Sequence, residues 1–203
     1  MKCALREEQL KLAVEFHGHD CPGLWTGIRA AELCLQRLGK HDDNDPLLAI
    51  TETDMCAVDA IQALLGCTFG KGNLIHRDYG KVAFSFYRRN NGRAFRAVRR
   101  AESGGGSDEM RELMRLVFSG KATDEQKQRY MELRDRSRAA IIEADLEDLF
   151  DVLELHDTPP RPAKILDSLR CESCGEMTME SRTRRFGGKT LCIPCFGAVE
   201  QKM

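Results

Sequence analysis

The sequence predicts an α+β fold: an N-terminal domain of mixed helix and sheet with a hairpin, then a small cysteine-bound domain. Three observations carry this. Segments of helical period alternate with short strand-like runs, without a regular βαβ repeat. Asn90-Asn91-Gly92 sits between two such runs, a strong hairpin turn. Near the C-terminus, Cys171-Glu172-Ser173-Cys174 and Cys192-Ile193-Pro194-Cys195 form two C-x-x-C pairs, a zinc-site pattern. Between the two regions, Thr158-Pro159-Pro160-Arg161-Pro162 stiffens the chain as a linker. The domains are therefore placed at 1–160 and 161–203, with the boundary within 160–168.

The elements follow in order. Leu10, Ala13 and Val14 give residues 6–16 a helical period. Residues 22–38 form a second helix: Pro22 suits its first turn, Trp25, Ile28, Leu33, Leu35 and Leu38 supply apolar positions, and Gly39 stops it. His41 to Pro46 is a polar loop. Leu47 to Thr53 reads as a strand, and Asp54 can cap a helix running to Leu65, ended by Gly66. A glycine-rich loop, 66–73, leads towards the hairpin strands 81–88 and 93–100. A break at 103–107 precedes helices over 108–119 and 123–149, the latter opened by the capping sequence Thr123-Asp124-Glu125-Gln126. Residues 150–156 read as a short strand.

At 203 residues, with 42% hydrophobic and 31% charged residues and a net charge of −1, the composition is that of an ordinary soluble protein without a global pull towards nucleic acid or anionic membrane. No apolar run reaches spanning length and the first residues lack an apolar signal core, so a cytoplasmic protein is expected. In that compartment nine cysteines read as metal ligands or reactive thiols before disulfides.

Cys171, Cys174, Cys192 and Cys195 are the ligands of a structural zinc. Two knuckles complete a tetrahedron of thiolates, and a segment this short needs the metal to fold. The domain is a four-cysteine zinc ribbon or treble-clef-like unit, with Phe186-Gly187-Gly188-Lys189 as its hairpin turn. Two redox dithiols are the alternative, but no strand–helix unit adjoins them. Such domains often bind nucleic acid. Here residues 161–203 carry eight Lys/Arg against five Asp/Glu, a weak electrostatic footprint, so nucleic acid is not the expected partner.

Phe16-His17-Gly18-His19-Asp20-Cys21-Pro22-Gly23 brings two imidazoles and a thiol together at a turn. His and Cys bind borderline metals, and a helix N-terminus favours a thiolate at Cys21. Cys56 opens the next helix with Asp59 on the same face, so both can converge on His17, His19 and Cys21 in an open site. Glu52 and Asp54 are further oxygen donors. The bland alternative is a capping turn with one core histidine, with Cys34 and Cys67 as small core residues and Asp59 paired to Arg29. The loop 66–73 only superficially resembles a phosphate loop: Gly72 stands where a Walker A motif needs Ser or Thr. Lys71 and the loop amides can line an anion pocket, or the loop is a helix cap and turn.

Charge is segregated. Residues 77–100 hold eight Lys/Arg and one acid, and residues 143–157 hold seven acids and no Lys/Arg. Complementary blocks of this kind pair within a chain or across a homodimer, and a homodimer is the expected assembly. Alternatively, Arg88, Arg89, Arg96, Arg99 and Arg100 attract an acidic substrate or partner.

The ordered set His17-Gly18-His19-Asp20-Cys21-Pro22-Gly23, Cys56-Ala57-Val58-Asp59-Ala60-Ile61-Gln62, Gly66-Cys67-Thr68-Phe69-Gly70-Lys71-Gly72-Asn73-Leu74 and the paired knuckles resembles the formylmethanofuran dehydrogenase E-subunit family over roughly residues 10–195. The resemblance implies an α+β domain with a metal-binding cleft and a C-terminal zinc finger. It implies metal candidates His17, His19, Cys21 and Cys56, holding zinc or another transition metal, and cleft residues Asp59, Cys67 and Lys71. Asp20 and Trp25 stand where smaller or aliphatic residues are expected. An association with molybdenum- or tungsten-dependent one-carbon or formate metabolism, within an oxidoreductase complex, is also implied. The competing reading is a non-enzymatic zinc-ribbon adaptor for nucleic acid or a protein.

Overall fold

The computed structural model describes residues 2–42, 44–103, 106–162 and 164–199. The polar loop at 41–46 and the glycine break at 103–107 each include positions outside these. The chain divides into two compact units, Met1–Pro162 and Ala163–Met203.

The first unit opens with α1 (Glu7–His17), α2 (Pro22–Leu38), β1 (Leu47–Thr51), α3 (Ala57–Leu65) and β2 (Leu74–His76). It continues with β3 (Ala83–Arg88), β4 (Ala94–Arg99), α4 (Asp108–Phe118), α5 (Asp124–Glu143), α6 (Leu146–Leu149) and β5 (Phe150–Glu154). The strands form one sheet in the order β2-β1-β3-β4-β5. β1 and β2 are parallel and joined through α3, while the other pairs are antiparallel. The hairpin expected around Asn90-Asn91-Gly92 is β3–β4.

Strand period decides which residues meet the helices. Leu47, Ala49, Phe84, Phe86, Phe95 and Ala97 share one core with Leu24, Ile28, Ala57 and Ile61. Their alternating neighbours Leu48, Ile50, Tyr87 and Ala94 form a second, smaller cluster. α2 and α3 meet at very short range. A Cβ on Gly27 would lie 2.1 Å from the Ala57 carbonyl oxygen, so only glycine permits this approach.

Among the boundaries that differ from the sequence reading, three have a visible cause or consequence. The helix over 123–149 is two helices, because Ala144 is extended and its carbonyl oxygen accepts 2.7 Å from Arg29 Nη2. This is a tertiary contact that no local propensity records. The first strand ends at Thr51 rather than Thr53. The helix after it starts at Ala57, because Thr53 Oγ1 accepts from the Met55 amide (3.2 Å) in a local turn. Asp54 is exposed and does not cap it.

The second unit contains β6 (Ser168–Arg170), β7 (Met177–Met179), β8 (Thr183–Phe186), β9 (Lys189–Cys192) and α7 (Ile193–Gly197). β6–β7 and β8–β9 are separate antiparallel pairs. Gly187 and Gly188, at φ +55° and +79°, make the β8–β9 turn. Among the described residues of this unit, Cys171, Leu191 and Cys192 are the buried hydrophobic ones, with Phe186 and Phe196 packed edge-on against one another.

Candidate metal centres

In the second unit one ligand atom each from Cys171, Cys174, Cys192 and Cys195 lies within 4.8 Å of the others. The knuckle folds on itself through Gly175 N–H to the Cys171 carbonyl oxygen (2.9 Å). The Cys192 amide donates to Cys171 Sγ (3.3 Å). Backbone N–H groups of Cys174, Cys192 and Ser173 lower the Cys171 thiol to about 6. Cys174 also receives a backbone N–H, from Glu176, yet desolvation and the neighbouring thiols push it up to about 12. One thiolate is thus prepared by amides, whereas Cys174 and Cys192, both raised, need a cation beside them. The donor set and its spacing fit zinc.

In the first unit His17, His19 and Cys21 likewise lie within 4.8 Å of one another. His17 ends α1, and Gly18 at φ +86° turns the chain out of the helix. Cys21 is the N-cap of α2, its sulfur accepting from the Leu24 amide (3.3 Å). His17 Nδ1 is 2.7 Å from Asp59 Oδ2, and its Nε2 faces Cys21 Sγ at 3.7 Å. The carboxylate on Nδ1 keeps the proton there and leaves Nε2 free as a ligand, the usual support of a metal-bound histidine. Cys21 is buried and His19 exposed, so the cluster has an open side. Two nitrogens and a sulfur with a carboxylate behind one imidazole fit zinc or a similar borderline metal.

Cys56 stands beside this cluster but outside the mutually close group. A Cβ on Gly23 would lie 3.2 Å from Cys56 Cβ and 3.8 Å from Cys21 Sγ, so Gly23 leaves room for both sulfurs. A thiolate at Cys56 is not favoured by these surroundings: burial, and then the neighbouring Cys21, push its thiol up. Asp59 does not pair with Arg29, which instead meets Glu32 (2.9 Å) within α2. Glu52 is engaged by Arg96 at 2.6 and 2.7 Å rather than aimed at the ligands.

Two residues proposed for the cleft lie elsewhere. Cys67 is fully buried, donates to the Leu47 carbonyl oxygen (3.5 Å) and is pushed up to about 12 by burial. It is a core residue. Lys71 is exposed beside the end of α3, where a Cβ on Gly66 would lie 3.2 Å from its Nζ. The loop around it is a cap and turn: Asn73 accepts from the Thr68 amide (2.9 Å) and donates to the Leu47 carbonyl oxygen (3.0 Å).

The sequence reading missed α5 as part of this region. Asp20 accepts from Trp25 Nε1 (2.7 Å) and pairs with Arg138, while Arg134 donates to the Asp20 carbonyl oxygen (3.3 Å). α5 therefore clamps the ligand loop. The signal was the i, i+4 spacing of Arg134 and Arg138, which puts both on one helix face.

The charge blocks meet within the chain. β4 pairs with β5, Arg100 meets Asp151 at 2.9 Å, and Tyr87 donates to Asp157 (3.2 Å).

Fold and clusters together define an α+β protein with a histidine–cysteine cluster and a separate C4 zinc finger. Residues 16–151 match the family described as FmdE, molybdenum formylmethanofuran dehydrogenase operon. The chain belongs to that family. Residues 164–201 match the prokaryotic dksA/traR C4-type zinc finger. A solved FmdE-like protein of tungsten formylmethanofuran dehydrogenase type, from Syntrophus aciditrophicus, is similar, with TM-score 0.62 and 25% identity over 94% of this chain and 91% of that one. A probable S-adenosyl-L-methionine-binding protein of Archaeoglobus fulgidus is 31% identical over 194 residues, 92% of this chain and 52% of its own length. The chain thus spans about half the length of that curated relative. Among the described residues no helix is long and apolar enough to cross a membrane.

Proposed function

We propose that the chain is a cytoplasmic metalloprotein whose first unit holds zinc or another transition metal at His17, His19 and Cys21, beside a structural zinc in the second. The observation that carries this is the His17–Asp59 contact at 2.7 Å with Nε2 turned to Cys21. A satisfied core histidine would explain the carboxylate, but not a second imidazole and a thiol gathered within 4.8 Å of it. A metal there would supply Lewis acidity on the open side of the cluster. Cys56 is the adjacent thiol, placed to complete the set. The family and its similar structure support a setting in molybdenum- or tungsten-linked one-carbon metabolism, within an oxidoreductase complex.

Elemental analysis of the wild type and of a His17→Ala/Cys21→Ala variant tests the reading. It expects two metals per chain, falling to about one. One metal in both overturns it and leaves the zinc-finger adaptor as the better account. S-adenosylmethionine, from the archaeal relative's name, is the first small molecule to titrate into the two-metal protein.

A further inference from the structure

A second candidate site lies at the end of the sheet where β3 begins and β4 ends. A pocket of about 420 Å³ is lined by Lys81, Val82, Val98, Arg99, Arg100 and Arg111, among others. Its volume suits a small molecule rather than a protein segment. The cations come from three places: the approach to β3, the end of β4 and the first turns of α4.

Its charge is only partly compensated. Arg100 has Asp151 and Arg111 has Asp108, its own neighbour on α4. Among the described residues neither Lys81 nor Arg99 has a carboxylate at ion-pair distance, although Lys81 is near enough to Glu52, itself held by Arg96, to help lower its carboxyl. Arg99 is half-buried and donates to a neutral acceptor, the Ser103 carbonyl oxygen (2.9 Å). Burial lowers its guanidinium below the ordinary value, as expected of a cation taken from water without a counter-charge. Buried charges are normally paired.

We propose that this pocket binds the phosphoryl group of a small phosphorylated molecule. Guanidinium groups from two elements present forked donors to the oxygens of a tetrahedral dianion, and Lys81 adds a point charge. A monocarboxylate would satisfy only part of this. The proposal does not depend on the metal sites.

The test titrates inorganic pyrophosphate, and acetate as the carboxylate comparison, into the zinc-loaded full chain by calorimetry at low salt. Saturable pyrophosphate binding without acetate binding is expected. Lys81→Gln and Arg111→Gln, both at exposed positions, should each weaken it about fivefold, and Arg99→Gln about tenfold. Lys11→Gln, on α1, should leave it unchanged. The His17→Ala/Cys21→Ala variant should also bind, which separates the pocket from chelation at the metal cluster. No saturation by about 10 mM, equal affinity in Lys81→Gln and wild type, or loss with the His17→Ala/Cys21→Ala variant overturns the proposal. So does binding of a single-stranded oligonucleotide without pyrophosphate binding, which would make this a nucleic-acid surface.

Discussion

The two clusters are alike in compactness and opposite in what supports them. Each gathers its ligand atoms within 4.8 Å. In the second unit the ligands supply much of the interior: among the described residues, Cys171 and Cys192 are two of the three buried hydrophobic ones. The His17, His19 and Cys21 group instead sits at the edge of a core already built from α1–α3 and the sheet. A metal is therefore part of the fold in the second unit, whereas one bound at the proposed first-unit site would be cargo or cofactor. Whether a ligand cluster serves the fold or is free for other work depends on whether apolar burial can hold the backbone without it.

Metal removal should expose this difference most strongly. Small zinc domains take about 10–16 kcal/mol of apparent folding energy from their metal, so chelation or Cys171→Ser should unfold residues 164–199 outright. The first unit should keep its secondary structure. Limited proteolysis with mass spectrometry reads both at once. Equal protection of the second unit with and without metal would break the comparison.

Gly27→Ala attacks the support of the open cluster instead. A Cβ there meets the Ala57 backbone at 2.1 Å, and backbone cannot step aside as a flexible side chain would. A loss of about 3 kcal/mol in urea unfolding of the first unit is expected. α2 carries Cys21 and α3 carries Asp59, so pushing them apart should also weaken metal binding at His17 while sparing the zinc finger. Unchanged affinity at His17 would show that the cluster does not depend on how α2 and α3 pack.

These contrasts were unequally legible in the sequence. The cysteine knuckles were readable because ligand spacing within a short segment is a local property. So were α2, framed by Pro22 and Gly39, and the β3–β4 hairpin, framed by Asn90-Asn91-Gly92. The meeting of His17 with Asp59 joins α1 to α3 and could only be conjectured from two helix ends. Cys67 was a cleft residue only by family resemblance, while its own residue type allowed a small core residue; Asn73 folds the loop onto the Leu47 carbonyl oxygen, and the Cys67 sulfur is buried there. The break at Ala144 was invisible because the cause, Arg29, is on another helix.

Asp59→Asn sharpens the comparison at one atom. Asp59 is about one-third exposed, so its replacement should cost the fold little. The amide no longer supports His17 as a charged acceptor on Nδ1. Loss of a carboxylate of this kind typically weakens metal binding about 10- to 100-fold. Competition against a chromophoric chelator should show one site weakened by about that range and the zinc finger unmoved. Equal affinity would mean that Asp59 merely caps the region.

The smallest expected effect separates folding from metal binding in acid. Falling pH protonates ligands at both clusters, so metal release obscures any acid transition of the first unit. Glu52 offers a metal-independent signal. Arg96 bonds to it and holds its carboxyl below the ordinary value of 4.5. A carboxyl whose folded value is depressed stabilises the fold fully above the unfolded value and loses that stabilisation as pH falls through the folded one. Glu52→Gln should therefore cost the metal-free first unit about 2 kcal/mol near neutrality. The deficit should shrink as pH drops below 4.5, because the wild type then loses the same ionised partner. Urea midpoints of both proteins across that range measure it. A deficit that stays constant with pH would mean that the pair contributes shape rather than charge where β1 leads into the segment carrying Cys56.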